Sequence, residues 1–389
     1  MPMLTALYSA HPELEETLRA HPYLTGTDVI WEDLEALLQA HAPSGAVLLP
    51  GGIGDMLHTI IQRRLPSARY EILGSTGNSG LSFGAAKAEL DLLICAHLDR
   101  PTFKVRQTNT GEVYPICAIR IPGERYQCRA RAIRYAHGHL DYGATGTLFI
   151  EQTDKGLRFA MQTEEGMLRE RDLVVMDAEP RLTNGLIEGT GLDNCLGVVT
   201  LLGLAHTLST QHYLLEAANL RVMLAFTDQE EGIPEAYFGH GAARLTHYLP
   251  QPTLGCMVAD GQTVQAEGPL QSQTGTGHGV VSAWSRGTVV PPNYVALAED
   301  LAESVNALHP STVQMNHGYL SRSDDMALGR WAPILGMIGP PMTGAHTAEE
   351  AAYLTDLQAA VRWISHYALA VLGLSSDLKA EYALGGNSK

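Results

Sequence analysis

A chain of 389 residues, 45% of them hydrophobic, has material for one large core and a smaller one. Its 42 acidic and 26 basic side chains give a formal net charge of -16, which repels nucleic-acid phosphates and anionic lipid and argues against either as a partner. Five scattered cysteines without a Cys-x-x-Cys pair argue against a disulfide scaffold or a structural zinc knot and for a reducing compartment.

The chain opens without a basic segment and long apolar run, and no later stretch approaches roughly 20 uninterrupted apolar residues, so a cytoplasmic protein with no membrane partner is expected. Residues 29–41 (VIWEDLEALLQAH) and 53–65 (IGDMLHTIIQRRL) place apolar side chains three and four apart, the helical period. Pro43-Ser44-Gly45 and Pro50-Gly51-Gly52 punctuate them. Four short continuous apolar runs lie further along, at 90–96 (LDLLICA), 220–226 (LRVMLAF), 254–259 (LGCMVA) and 334–338 (ILGMI). Runs of this length predict strands buried on both faces. Helical patterns over 196–208, 294–308 and 356–372 alternate with them, which predicts an α/β fold, a three-layer sandwich with a mixed sheet.

Between about 101 and 177 the texture changes to short alternating segments separated by Gly111, Gly123, Gly138, Gly143, Gly146 and Gly156. This predicts a small all-β domain inserted into the α/β one. The expected division is 1–100 with 185–374 as the catalytic domain, 101–184 as the insert, and 375–389 as a flexible tail. Lys104, Arg106, Arg120, Arg125, Arg129, Arg131 and Arg134 make the insert locally basic. A solvated β surface is the preferred reading, ahead of a contact with an acidic face of another subunit.

The chemistry concentrates at the ends of the predicted strands. His97 and Asp99 follow the first apolar run, Glu230 and Glu231 the second, Asp260 closes the third, and His346 follows the fourth. Asp193 stands just ahead of the helix that begins near Leu196. Ligands gather at the carboxyl ends of strands in open α/β sheets. Carboxylate oxygen and neutral imidazole nitrogen are the donors that hard and borderline dications take, and two ions close together need a carboxylate between them. Of the adjacent pair Glu230 and Glu231, one can bind metal while the other acts as general base; Asp99 suits an outer partner that orients His97. Taken singly, each element has a plainer explanation: a loop, a solvated turn, or a helix N-cap at Asp193-Asn194. Together they converge on metal. His137, His139 and Asp141 read as surface, residues 274–279 (TGTGHG) as a turn, and Cys195 as a small core residue.

Ala96-His97-Leu98-Asp99, residues 184–194 (NGLIEGTGLDN), Gln229-Glu230-Glu231, Asp260, and His346 with Glu349 resemble peptidase family 42, the dinuclear metallo-aminopeptidases that include the TET and glutamyl aminopeptidases. The β-rich stretch lies between His97 and Asp193, as in that family, and the resemblance covers most of the chain beyond about residue 85. It implies a zinc-peptidase sandwich with Asp193 bridging two ions, zinc or cobalt. His97 and Asp260 would complete one, Glu231 and His346 the other, with Glu230 as general base and Asp99 orienting His97. It also implies peptide substrates cut at a free N-terminus and a homo-oligomer. This chain departs from the family in having Arg100-Pro101-Thr102 where Glu-Ile-Gly is usual, Cys195 where Arg follows Asp-Asn, and an insertion at 232–238. Those departures leave open an amidase or carboxypeptidase acting on N-acylated amides, or a non-catalytic relative.

Overall fold

The continuous apolar runs become the inner strands of one mixed, eight-stranded sheet. The computed structural model describes residues 3–119, 121–232, 238–264, 274–285, 288–374 and 376–384. Most of the 232–238 insertion therefore lies outside the described residues. Across the sheet the strands run Tyr70–Ile72, Ser79–Gly84, Arg221–Thr227, Leu92–His97, Gly255–Ala259, Ile334–Gly339, Val280–Ser285 and Val313–Ser321. The four central members, from Arg221–Thr227 to Ile334–Gly339, pair in parallel, so their carboxyl ends share one edge. His97 lies level with Thr227 there.

Alternation explains the layering. Leu92, Ile94 and Ala96 enter one hydrophobic core while Leu93 and Cys95 enter another, since successive strand side chains point to opposite faces. The larger core contains the helices Leu192–Thr210, Pro292–Leu308 and Leu354–Val371 together with the helices of residues 3–64. The thinner layer is built on His240–Tyr248 and Asp325–Leu328. Each Leu or Ile fully buried here contributes roughly 1.5–3 kcal/mol.

Leu192–Thr210 is apolar nearly all round because it sits between the sheet and the helices Asp28–Gln39 and Leu354–Val371. It is the one helix among the described residues long and apolar enough to cross a membrane, yet 83% of that window is buried inside the protein. Gly197 seats this helix on the sheet: a Cβ there would lie 2.2 Å from the Ala259 carbonyl oxygen.

Strands between Thr102 and Met176 close into a separate six-stranded barrel with its own core around Phe103, Leu148, Ile150 and Val174. Its arginines are largely paired: Arg106 with Glu112, Arg125 with Glu151, Arg129 and Arg131 with Asp177, Arg134 with Asp172. Three of these acids lie beyond residue 150, so much of the local basic excess meets acids within the barrel and its rim. Arg120 lies outside the described residues.

A five-stranded sheet was not anticipated. It runs Arg181–Thr183, Leu186–Gly189, Glu350–Tyr353, Pro341–Thr343, Gln262–Thr263. Its strands adjoin Asp260, Asp193 and His346 in sequence, and Gly189 pairs with Glu350, which draws the Asp193 and His346 loops together. The segment 375–389, expected to be a flexible tail, is helical over Ser376–Glu381 with Leu378 and Leu384 buried; residues 375 and 385–389 lie outside the described residues. Apolar anchors hold it, which a polar composition at the far end conceals.

Candidate metal centre

The parallel edge and the small sheet bring all five expected ligands into one cluster. Asp193 lies in the middle. Its Oδ1 is 3.1 Å from His97 Nε2 and its Oδ2 is 3.5 Å from His346 Nε2. On the first side Asp260 Oδ1 lies 3.7 Å and Glu230 Oε2 3.8 Å from His97 Nε2. On the second side Glu231 Oε1 lies 3.2 Å from His346 Nε2. The two adjacent glutamates thus serve opposite halves of the cluster.

Local structure accounts for each placement. Asp193 and Asn194 have non-helical backbone angles at the head of their helix. Asn194, not Asp193, does the capping: its Oδ1 accepts from the Gly197 N–H at 2.9 Å, and its side-chain amide donates to the Ala259 carbonyl. The Asp193 carboxylate is left for the cluster. His346 sits at φ 64°, a left-handed conformation that non-glycine residues adopt sparingly and that recurs at functional sites. The turn carrying the glutamates is fixed by Asp99, whose Oδ1 and Oδ2 accept from the N–H groups of Glu230 and Glu231 at 3.0 and 3.3 Å.

The role expected of Asp99 therefore takes a different form. His97 Nδ1 donates to the Asp99 backbone carbonyl at 3.1 Å, while the carboxylate is 3.7 Å away. Residue 99 orients His97 through its main chain and the glutamate pair through its side chain. His346 Nδ1 likewise donates to the Ala118 carbonyl at the barrel rim. With both Nδ1 atoms spent on carbonyls, it is Nε2 of each ring that faces carboxylate oxygens.

That donor set fits a metal. Carboxylates crowd the two imidazoles, and Glu231 Oε1 and Asp260 Oδ1 are buried without a hydrogen bond. Electrostatics agree. Burial, opposed by His97 but reinforced by Glu231 and Asp260, holds the Glu230 carboxyl well above the usual range. Burial and Asp193 push Asp260 up to about 6. Burial alone would lower His97 and His346, yet the surrounding carboxylates outweigh it and hold both imidazoles well above their ordinary value. Buried negative charge on this scale calls for cations.

Sequence reasoning passed over Glu350. Its Oε2 accepts from the N–H groups of Gly191 and Leu192 at 2.7 Å and of Asp193 at 3.4 Å, and its Oε1 accepts from His346 N–H at 3.1 Å. One buried carboxyl thereby joins both ligand loops. Its neighbour Glu349, singled out from the resemblance, is exposed and accepts from Tyr126 Oη instead. Asp324, buried beneath the glutamate turn, accepts from Thr227 Oγ1. The only advance signal for Glu350 was an acid placed just beyond His346, and Asp324 had none.

Two departures from the family pattern touch each other. The Arg100 guanidinium donates to the Leu37 and Leu38 carbonyls at 2.8 and 3.0 Å and lies 3.6 Å from Cys195 Sγ. Positive charge suits the carboxyl end of the Asp28–Gln39 helix that it reaches. The rejected candidates stay apart from the centre: His137 belongs to an exposed turn, and the turn around Gly277 and Gly279 is held by Asp356.

This sandwich has the fold of solved aminopeptidases. A TET aminopeptidase from a marine-sediment Thaumarchaeota archaeon superimposes with a TM-score of 0.67 at 14% identity, over 91% of this chain and 99% of that one. The Pyrococcus horikoshii TET1 peptidase gives 0.63 at 19% identity, over 86% and 98%. An aminopeptidase from Desulfurococcus kamchatkensis gives 0.63 at 18%, over 92% and 98%. No curated protein sequence matches. The family model for M42 glutamyl aminopeptidases matches residues 153–363, more than half of the chain, and the chain belongs to that family.

Proposed function

We propose that this protein removes N-terminal residues from peptides at a dinuclear metal centre. In this reading Asp193 is shared by both ions, His97 and Asp260 complete one, and Glu231 and His346 complete the other. The observation that carries it is the Asp193 carboxylate lying between two imidazoles, one facing each oxygen. Two divalent ions, zinc or cobalt, would supply Lewis acidity at the scissile carbonyl and at the attacking water.

The chain's own residues do the rest. Glu230 takes the proton of the attacking water on Oε2 and returns it to the departing amine, a role suited to a carboxyl whose proton affinity is raised by burial. Asp99 keeps that carboxylate in place through the Glu230 N–H, and Glu350 keeps the loops of Asp193 and His346 in register. The TET1 peptidase of P. horikoshii assembles into a tetrahedron or a larger octahedral shell, and self-association is proposed here too. Five buried cysteines without a disulfide fit a reducing, cytoplasmic setting.

The test compares a free-amine peptide with its N-acetylated twin, using wild-type protein and E230Q. Cleavage of the free peptide alone, abolished by a chelator, is expected. E230Q keeps its metal while kcat falls roughly a hundredfold or more. Near-full activity in E230Q would remove Glu230 from the mechanism, and preferential cleavage of the acetylated peptide would replace the aminopeptidase reading with an amidase.

A further inference from the structure

The barrel contributes one donor to the centre that neither the strand ends nor the family pattern supplies. Cys117 follows the barrel strand Glu112–Pro115 and is 1% exposed. Its Sγ, one carboxylate oxygen of Glu231 and one ring nitrogen of His346 all lie within 4.8 Å of one another. Next to it, the Ala118 carbonyl accepts from His346 Nδ1, so one short segment both turns that imidazole and brings a thiol close to it. A lone buried cysteine would mean little. Here a second observation points the same way: Glu231, whose carboxylate shares this cluster, keeps a buried Oε1 with no hydrogen bond, 3.2 Å from His346 Nε2.

We infer that Cys117 is a thiolate ligand of the ion held by His346 and Glu231. The inference rests on the dinuclear reading above and refines it. With Asp193 that ion then has four protein donors, whereas the ion at His97 and Asp260 has three. A fourth protein donor would leave that ion less room for water or substrate than the three-donor ion has. The two halves are therefore unequal in their protein donors. A thiolate also favours zinc or cobalt over manganese or magnesium at the half that holds it. Binding exchanges the S–H proton for a sulfur–metal bond, with the proton passing to solvent and no change of oxidation state.

Cobalt(II) loaded into the apoprotein at two equivalents tests this by absorption. Visible ligand-field bands report cobalt at the centre, and a near-ultraviolet sulfur-to-cobalt charge-transfer band reports the thiolate. Both are expected in wild-type protein. C117S and C117A keep the ligand-field bands, lose the charge-transfer band, and bind one of the two ions at least about tenfold more weakly, the loss that even an outer partner of a ligand causes. C195A keeps the band. Ligand-field bands without charge transfer in the wild type, or a charge-transfer band surviving in both Cys117 variants, would overturn the assignment while leaving the dinuclear centre standing. Absence of all cobalt bands would instead overturn the dinuclear reading itself, and the assignment with it.

Discussion

Replacing Glu350 by alanine probes the contact that holds the centre together. The side chain is buried and accepts from Gly191, Leu192 and His346 N–H groups at 2.7, 2.7 and 3.1 Å, with Asp193 N–H more distant at 3.4 Å. Each buried N–H left unpaired costs about 1–3 kcal/mol, so the three shorter bonds give roughly 3–9 kcal/mol. Two loops next to a polar cluster admit water, so the lower part of that range, about 3–5 kcal/mol, is the expected loss. The control is E349A, one residue away, where the side chain is exposed and accepts a single bond from Tyr126; about 1 kcal/mol is expected there. Urea unfolding of both variants and wild type reads the difference as a shift in midpoint at constant slope. E350Q keeps one acceptor oxygen and should fall between E350A and wild type. Equal midpoints for E350A and E349A would refute the bracing role.

Two further predictions concern the barrel contact and acid stability. Tyr126 Oη donates to Glu349 and accepts from Ala348 N–H at 2.8 Å, so Y126F should cost about 1–3 kcal/mol and weaken zinc binding in a competition titration; unchanged zinc affinity would separate the barrel contact from the His346 loop. His21 and His366 are buried neutral, each using one ring nitrogen as donor and one as acceptor, and burial lowers both pKa values to about 4. The unfolded value of about 6.5 is higher, so the unfolded chain takes up protons first. Stability is complete above that value and is lost as pH falls from 6.5 towards 4, by up to roughly 3 kcal/mol for each histidine. The slope of Tm against pH should be shallower in H21N/H366N than in wild type; identical slopes would contradict the assignment.

The parallel strands were legible because burial on both faces leaves an uninterrupted apolar run. Every residue of Leu92–His97 is buried, and the acid or imidazole that ends such a run stands out. The barrel announced itself through glycine-spaced alternation. The small sheet did not, because strands of two to four residues such as Gln262–Thr263 and Leu186–Gly189 are too short to establish a period of two. For the same reason Glu350 could not be told from Glu349. They are neighbours in sequence and opposite in burial, and only the pairing of Gly189 with Glu350 decides which faces inward. Cys117 was one of five scattered cysteines; barrel closure carries it beside Glu231 and His346, which the sequence does not reveal. Asp99 meets His97 through its backbone carbonyl and the glutamate turn through its carboxylate, and no residue pattern encodes that distinction.

Anomalous diffraction from crystals of the zinc-loaded protein tests the central claim most directly. Two peaks should flank the Asp193 carboxylate, one bounded by His97 and Asp260 and the other by Glu231 and His346. A single peak, or zinc lying away from Asp193, would contradict the account.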